Sequence, residues 1–152
     1  MVKNKPVTKK TQIQKKDVIL DVALIVMYKG RVLLGEKMAS RHDGIVWDLP
    51  GGKREGYESP MECGIRETLE ETGLDVKLID RHSCAETYDE YATGKTESTL
   101  IYRSKPIINY EPSTMEKNKF LQWAYFPWNA LPKNKSLCLR NLKKQRYDPF
   151  KK

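Results

Sequence analysis

GGKREGYESPMECGIRETLEETGL, residues 51–74, is a glycine turn, a polar loop and one helix with a marked start and stop. Ser59, Pro60 and Glu62 form the start: a capping hydroxyl, a proline at the first helical position and a glutamate that closes a capping box. Gly73 forms the stop, because glycine enters the left-handed conformation without steric cost. At about 100° per residue, Met61, Ile65, Leu69 and Thr72 share one narrow arc, which needs a core to bury it. Glu67, Glu70 and Glu71 share nearly the opposite arc. Carboxylates three and four residues apart repel one another by a few tenths of a kcal/mol per pair. Such a face is either solvated or a divalent-cation site, whose bound charge removes the repulsion.

The surroundings of the acidic arc favour the cation. Gly52, Glu58, Arg66, Glu67, Glu70, Glu71, Gly73 and Leu74 fit the pattern G-x5-E-x7-R-E-U-x-E-E-x-G-U at every specified position except one aliphatic. The stretch resembles the box of the Nudix hydrolases. Thr68 is the departure, where the pattern prefers a bulky aliphatic; Leu69 beside it is expected to serve the core instead. The resemblance implies the Nudix fold, an α/β architecture with a mixed β-sheet sandwiched between helices, over residues 17–146.

A chain of 152 residues suggests one domain with room for a proper core. It has no apolar run near the ~18 residues of a membrane span, and no secretory signal is evident. The net charge of +8 is unevenly placed. Residues 1–20 hold six Lys/Arg and one Asp, residues 133–152 hold eight and one, and the body is mildly acidic. Basic ends on such a body read as solvated tails, a flexible one over residues 1–16 and a short one over 147–152. Nucleic acid is therefore a disfavoured partner. Cys63, Cys84 and Cys138 are odd in number and lack C-x-x-C spacing, which fits reduced thiols in a cytoplasmic protein.

Along the chain, Val18 to Val26 is a buried strand, Lys29-Gly30 a turn, and Arg31 to Leu34 its hairpin partner. Residues 38–46 read as a loop. After the box helix, Val76 to Tyr91 reads as one long or broken strand, and Thr99 to Tyr102 continues the sheet. Residues 105–119 form a long connection, a frequent place for function. A strand around Gln122 to Phe126 and a helix from Leu137 to about Arg146, capped by Ser136, complete the order.

The family resemblance implies a reaction: water attacks phosphorus in a nucleoside diphosphate linked to another group, assisted by Mg²⁺, with Mn²⁺ as an alternative. Glu67, Glu70, Glu71 and the Gly51 carbonyl are then the metal ligands, and the glycines admit metal and phosphate close to backbone. Arg66 pairs with Glu58 and orients the site. The general base is Glu67 or Glu116, with Glu111 as a weaker substitute. Lys37 and Lys53 are candidates for substrate phosphate, and Asn134 for the base. Trp47, Tyr57, Trp123 and Trp128 could stack on a base, with core packing the default for most. His42 and His82 are isolated.

The leading substrate class is a nucleoside triphosphate, ordinary or oxidised, cleaved to monophosphate and pyrophosphate as in MutT-type members. Tyr91, seventeen residues beyond Leu74, instead resembles a feature of dinucleoside polyphosphate hydrolases. Asp89 stands where ADP-ribose hydrolases prefer proline. RNA binding or decapping through the lysine-rich ends is a third reading, but no aromatic-and-basic cluster for a second nucleoside or a single strand is evident. An inactive binding module disagrees with the intact Glu58, Arg66, Glu67, Glu70 and Glu71. The expected partner is a small nucleotide, with the chain a monomer or homodimer.

Overall fold

In a computed structural model that describes residues 18–40 and 44–151, the central strand is β1, Val18–Tyr28. It runs parallel to β7, Thr96–Pro106, from Val18 opposite Thr96 to Val26 opposite Ser104. Both faces of β1 are covered, which is why it reads as a nearly continuous apolar run. Val22, Leu24 and Val26 pack into one cluster with Cys63 and Leu74, whereas Ala23 and Ile25 pack into another with Leu139 and Leu142. The first cluster lies under α1, Pro60–Thr72, and the second under α2, Leu137–Lys144. The two helices thus sandwich the sheet.

The remaining strands are β2, Arg31–Ser40; β3, Gly44–Asp48; β4, Gly51–Lys53; β5, Val76–Leu78; β6, Ala85–Glu90; and β8, Phe120–Pro127. The main path is β3-β2-β1-β7-β5, with β4 added to β1, β6 to β7 and β8 to β2. β4 sets the glycine turn against the start of β1, with Asp21 opposite Lys53 and Ala23 opposite Gly51.

The helix signals in the box are realised. Ser59 Oγ accepts from the Glu62 N–H at 3.1 Å, Glu62 Oε1 accepts from the Ser59 N–H at 2.9 Å, and Gly73 has φ 74°. The buried face is rotated from the expected arc. Thr68, Glu71 and Thr72 are fully buried while Leu69 is 47% exposed, so Leu69 does not replace Thr68 in the core. The cause is twofold. A Cβ on Gly64 would lie 2.6 Å from a Leu24 methyl, so the helix sits tightly on β1 at that turn. Thr68 and Thr72 donate their hydroxyls to the carbonyls of Gly64 at 2.8 Å and Thr68 at 2.6 Å, which makes their burial inexpensive.

Three further expectations change. Residues 38–46 are largely strand, since β2 reaches Ser40 and β3 begins at Gly44. Residues 147–152 are not a free tail as far as residue 151. Arg103 donates to the Pro149 carbonyl at 2.9 Å, and Trp128 Nε1–H donates to the Tyr147 carbonyl at 3.0 Å. The segment from Val76 is broken into β5 and β6. The tail over 1–16 and His42 lie outside the described residues. No described helix is long and apolar enough to cross a membrane.

Candidate active site

The glycine turn, α1 and the start of β1 meet at a cleft of about 390 Å³. Gly51, Gly52, Lys53 and Glu67 line it from the box, Lys37 and Asp48 from β2 and β3, and Lys119 from the segment before β8. Glu71 stands behind this wall with no exposed surface, its Oε1 accepting from the Gly51 N–H at 3.0 Å and its Oε2 from Lys119 Nζ at 2.8 Å. Burial raises its carboxyl to about 7, against the opposing pull of Lys119. A fully buried glutamate is not a solvated helix face. That reading of the acidic arc fails at Glu71, while Glu70 is exposed.

Arg66 organises the other carboxylates. Its Nε and Nη2 grip both oxygens of Glu58 at 2.9 and 2.7 Å, a bidentate pair. Its Nη1 donates to Glu67 and Glu70, each at 3.1 Å, and Nη2 also reaches the Lys53 carbonyl at 3.2 Å. The hydrogen bonds from Arg66 hold the Glu58 carboxyl down at about 2, whereas burial raises that of Glu67. The expected pairing of Arg66 with Glu58 is therefore present as a fork that also ties down the helix.

The residues named from sequence are brought together unequally. Among the described residues no three Asp, Glu, His or Cys side chains converge on one point. Glu67 and Glu70 are drawn to Arg66, and Glu71 to Lys119. The donor set nevertheless suits Mg²⁺ or Mn²⁺: hard carboxylate oxygens beside a turn without side chains. A Cβ on Gly52 would lie 2.6 Å from the Glu67 carboxylate, so glycine alone leaves that group its place. Lys119 is 44% exposed, so its side chain reaches Glu71 from the solvent side. Lys37 lines the cleft but is paired with Asp48 at 2.9 Å, which raises its pKa. Glu116 is not among the residues lining the cleft; its carbonyl accepts from the N–H groups of Lys119 and Phe120 at the entry to β8. Asn134 is exposed and meets the site only through its backbone, its carbonyl accepting from the Trp47 N–H at 2.8 Å.

Three participants were missed in the sequence. Lys119 carried no signal, being one lysine among several in a polar connection. Asp48 is held by Lys37, by Ser136 Oγ at 2.7 Å and by the Leu49 N–H at 2.8 Å. Asp21 had a signal, a lone charge inside the apolar run of β1. It lines the cleft with Tyr91 and Glu97, and its Oδ1 is buried without a hydrogen-bond partner among the described residues.

Burial, then the adjoining Glu97, raises the Asp21 carboxyl to about 7 from an ordinary 3.8. The folded chain thus keeps a proton that the unfolded chain has lost between those values. Stability should fall as pH rises from about 4 to 7 and stay lower above it. After solvent screening the loss is on the order of 1 kcal/mol. Urea unfolding in EDTA near pH 5.5 and pH 8 should show a smaller drop for Asp21→Asn than for wild type. Identical pH dependence in both proteins would mean that Asp21 is ionised throughout.

The NUDIX domain family model matches residues 19–146. The chain is 34% identical over 62 residues to 8-oxo-dGTP diphosphatase of Proteus vulgaris, covering 41% of this chain and 55% of that protein. It is 28% identical over 91 residues to the m7GpppN-mRNA hydrolase dcap-2 of Caenorhabditis elegans, covering 59% of this chain and 11% of that one. These curated relatives are matched over about half or less of their own length. A MutT NUDIX hydrolase from Burkholderia pseudomallei superposes with TM-score 0.69 at 22% identity, covering 82% of this chain and 98% of that one, a likeness of fold.

Proposed function

The chain belongs to the Nudix family, and on that premise we propose that it hydrolyses nucleoside triphosphates to monophosphate and pyrophosphate with Mg²⁺ or Mn²⁺. The observation that carries this reading is that Glu67 of the acidic helix face meets Lys37, Lys53 and Lys119 around one cleft, with Glu71 tied to Lys119 behind it. Carboxylates without cations would repel a polyphosphate, and lysines without carboxylates would bind it without hydrolysing it. The name of the Proteus vulgaris relative supports the same substrate class.

Glu67, Glu70, Glu71 and the Gly51 carbonyl would hold the metal, as the family pattern implies. When bound, Mg²⁺ or Mn²⁺ neutralises phosphate charge and lowers the pKa of water. Lys53 and Lys119 bind the outer phosphates, and Lys37 shares its charge between Asp48 and the substrate. Glu67 takes the proton of the attacking water and is preferred over Glu116, because only Glu67 lines the cleft. Arg66 positions Glu67. The new bond joins water oxygen to the α-phosphorus, and the bond to the bridging oxygen breaks to release pyrophosphate.

A second reading, hydrolysis of dinucleoside polyphosphates, is favoured by one observation: Tyr91 lines the cleft. Its hydroxyl is engaged with Glu97 at 3.3 Å, which ranks this reading second. Hydrolysis in H₂¹⁸O, with specificity constants for both substrate types, separates them. Label in the monophosphate and faster turnover of triphosphates are expected. Label in pyrophosphate would move the attack to the β-phosphorus, and a tenfold preference for diadenosine tetraphosphate would sink the leading reading.

A further inference from the structure

We infer that the far end of β1 carries a second nucleotide site, where a nucleobase stacks on Tyr110 and its phosphate meets Lys29 and Arg31. The site is a pocket of about 370 Å³ walled by Tyr28, Lys29, Arg31, Tyr110, Trp123 and Tyr125, with Glu111 at its rim. That volume falls within the ~300–1,000 Å³ of small-molecule pockets. At about 3.3 Å per residue, Tyr28 stands roughly 23 Å along β1 from Asp21 in the hydrolytic cleft. The pocket is therefore separate from that cleft, and the inference does not rest on the hydrolase reading.

Three observations point to this ligand chemistry. Tyr28 and Tyr110 are stacked at 4.4 Å with an interplanar angle of 10°, and Tyr110 remains 44% exposed. One face of Tyr110 is thus fixed by Tyr28, and its hold on the chain is tightened by Tyr125, whose hydroxyl donates to the Tyr110 carbonyl at 2.8 Å. A prearranged aromatic plate with an open face is what a base requires for stacking. Next, Lys29 and Arg31 are exposed on the hairpin turn beside the plate, while Glu111 offers an acceptor for amino groups on a base edge. Aromatic surface with cations and a carboxylate around one pocket matches a nucleoside phosphate. Last, Trp123 is 8% exposed, and its buried indole N–H has no hydrogen-bond partner among the described residues. A buried donor left unmatched is uncommon in a folded chain, and this one belongs to a residue that walls the pocket, so a ligand that shifts that wall can satisfy it. No such aromatic-and-basic cluster is visible along the sequence, because residues 28–31, 110–112 and 123–125 meet only in the fold.

The same chemistry belongs to a free nucleotide and to one unit of a single strand, so the test uses AMP and a short oligoadenylate. Each is titrated in EDTA into the ¹⁵N-labelled protein. Amides of residues 28–31, 110–112 and 123–125 and the Trp123 indole N–H should shift. Shifts with AMP identify a free-nucleotide site, and shifts with the oligomer alone identify a strand site. Tyr110→Ala should weaken binding about tenfold or more through lost stacking. The pair Lys29→Gln and Arg31→Gln, both exposed, should weaken it without disturbing the fold. Triphosphate hydrolysis should be unchanged in these variants. The inference is overturned if both probes leave these signals unmoved at millimolar concentration. It is equally overturned if shifts are confined to Gly51, Gly52, Lys53 and Lys119, or if the charge variant binds as wild type does.

Discussion

Glu71→Gln should lower turnover on a triphosphate by about a hundredfold or more, the scale expected for losing a principal electrostatic stabiliser. The side chain keeps its size, and its amide oxygen can still accept from the Gly51 N–H, now 3.0 Å from Glu71 Oε1. What disappears is the charge proposed to bind a divalent cation. The cost to folding should be small. An ionised carboxylate with no exposed surface is held there against desolvation, and Lys119 compensates for only part of that cost. Metal-free stability near pH 8 should therefore change by no more than about 1 kcal/mol. Mg²⁺ should raise the unfolding midpoint of wild type and leave that of the variant almost unmoved. Full activity of the variant at saturating Mg²⁺ would remove Glu71 from the site. Loss of activity with an unchanged Mg²⁺ effect on stability would assign it a role other than holding metal.

The parts of this site that were legible in the sequence are those carried by one continuous segment. Capping by Ser59, Pro60 and Glu62 and termination at Gly73 depend on neighbours within a few residues, so their types and spacing sufficed. β1 as a strand followed from its apolar run, and the middle of β7 from Thr99 to Tyr102, but that these two strands pair was not legible, because pairing joins distant segments. Which face of α1 is buried was not legible, because hydrophobicity favoured Leu69 over Thr68. The structure reverses that order by satisfying the threonine hydroxyl within the helix and by seating Gly64 on Leu24. The partner of Glu71 was not legible either, since Lys119 lies 48 residues away in a segment rich in lysine. Glu116, one of the two candidate bases, lies in the same connection, three residues from the side chain that reaches the site. Long-range electrostatics is decided by how loops return to the sheet, which local pattern does not encode.

Arg66→Lys should cost about 10–100-fold in kcat, although charge is conserved, because supporting groups around a metal site have effects of that size. The guanidinium makes its contacts in several directions at once: both oxygens of Glu58, then Glu67, Glu70 and the Lys53 carbonyl. An ammonium gathers its donors at one point and cannot span these partners together. Lysine can keep one of the carboxylates, and the others then regain rotamer freedom and mutual repulsion. Glu67 would lose its fixed position beside Gly52, where the absence of a Cβ leaves room for its carboxylate. The long-range field of the cleft hardly changes, so substrate KM should rise much less than kcat falls. Mn²⁺ affinity, read by electron paramagnetic resonance, should weaken in parallel with kcat, a change that a purely structural ion pair would not produce. Stability should drop by about 1 kcal/mol, since the lysine keeps one carboxylate of this partly buried network. Arg66→Gln, which removes the charge as well, should be more severely impaired than Arg66→Lys. Equal defects in the two variants would support the fork as the essential feature, whereas wild-type kcat in Arg66→Lys would show that positive charge alone positions Glu67.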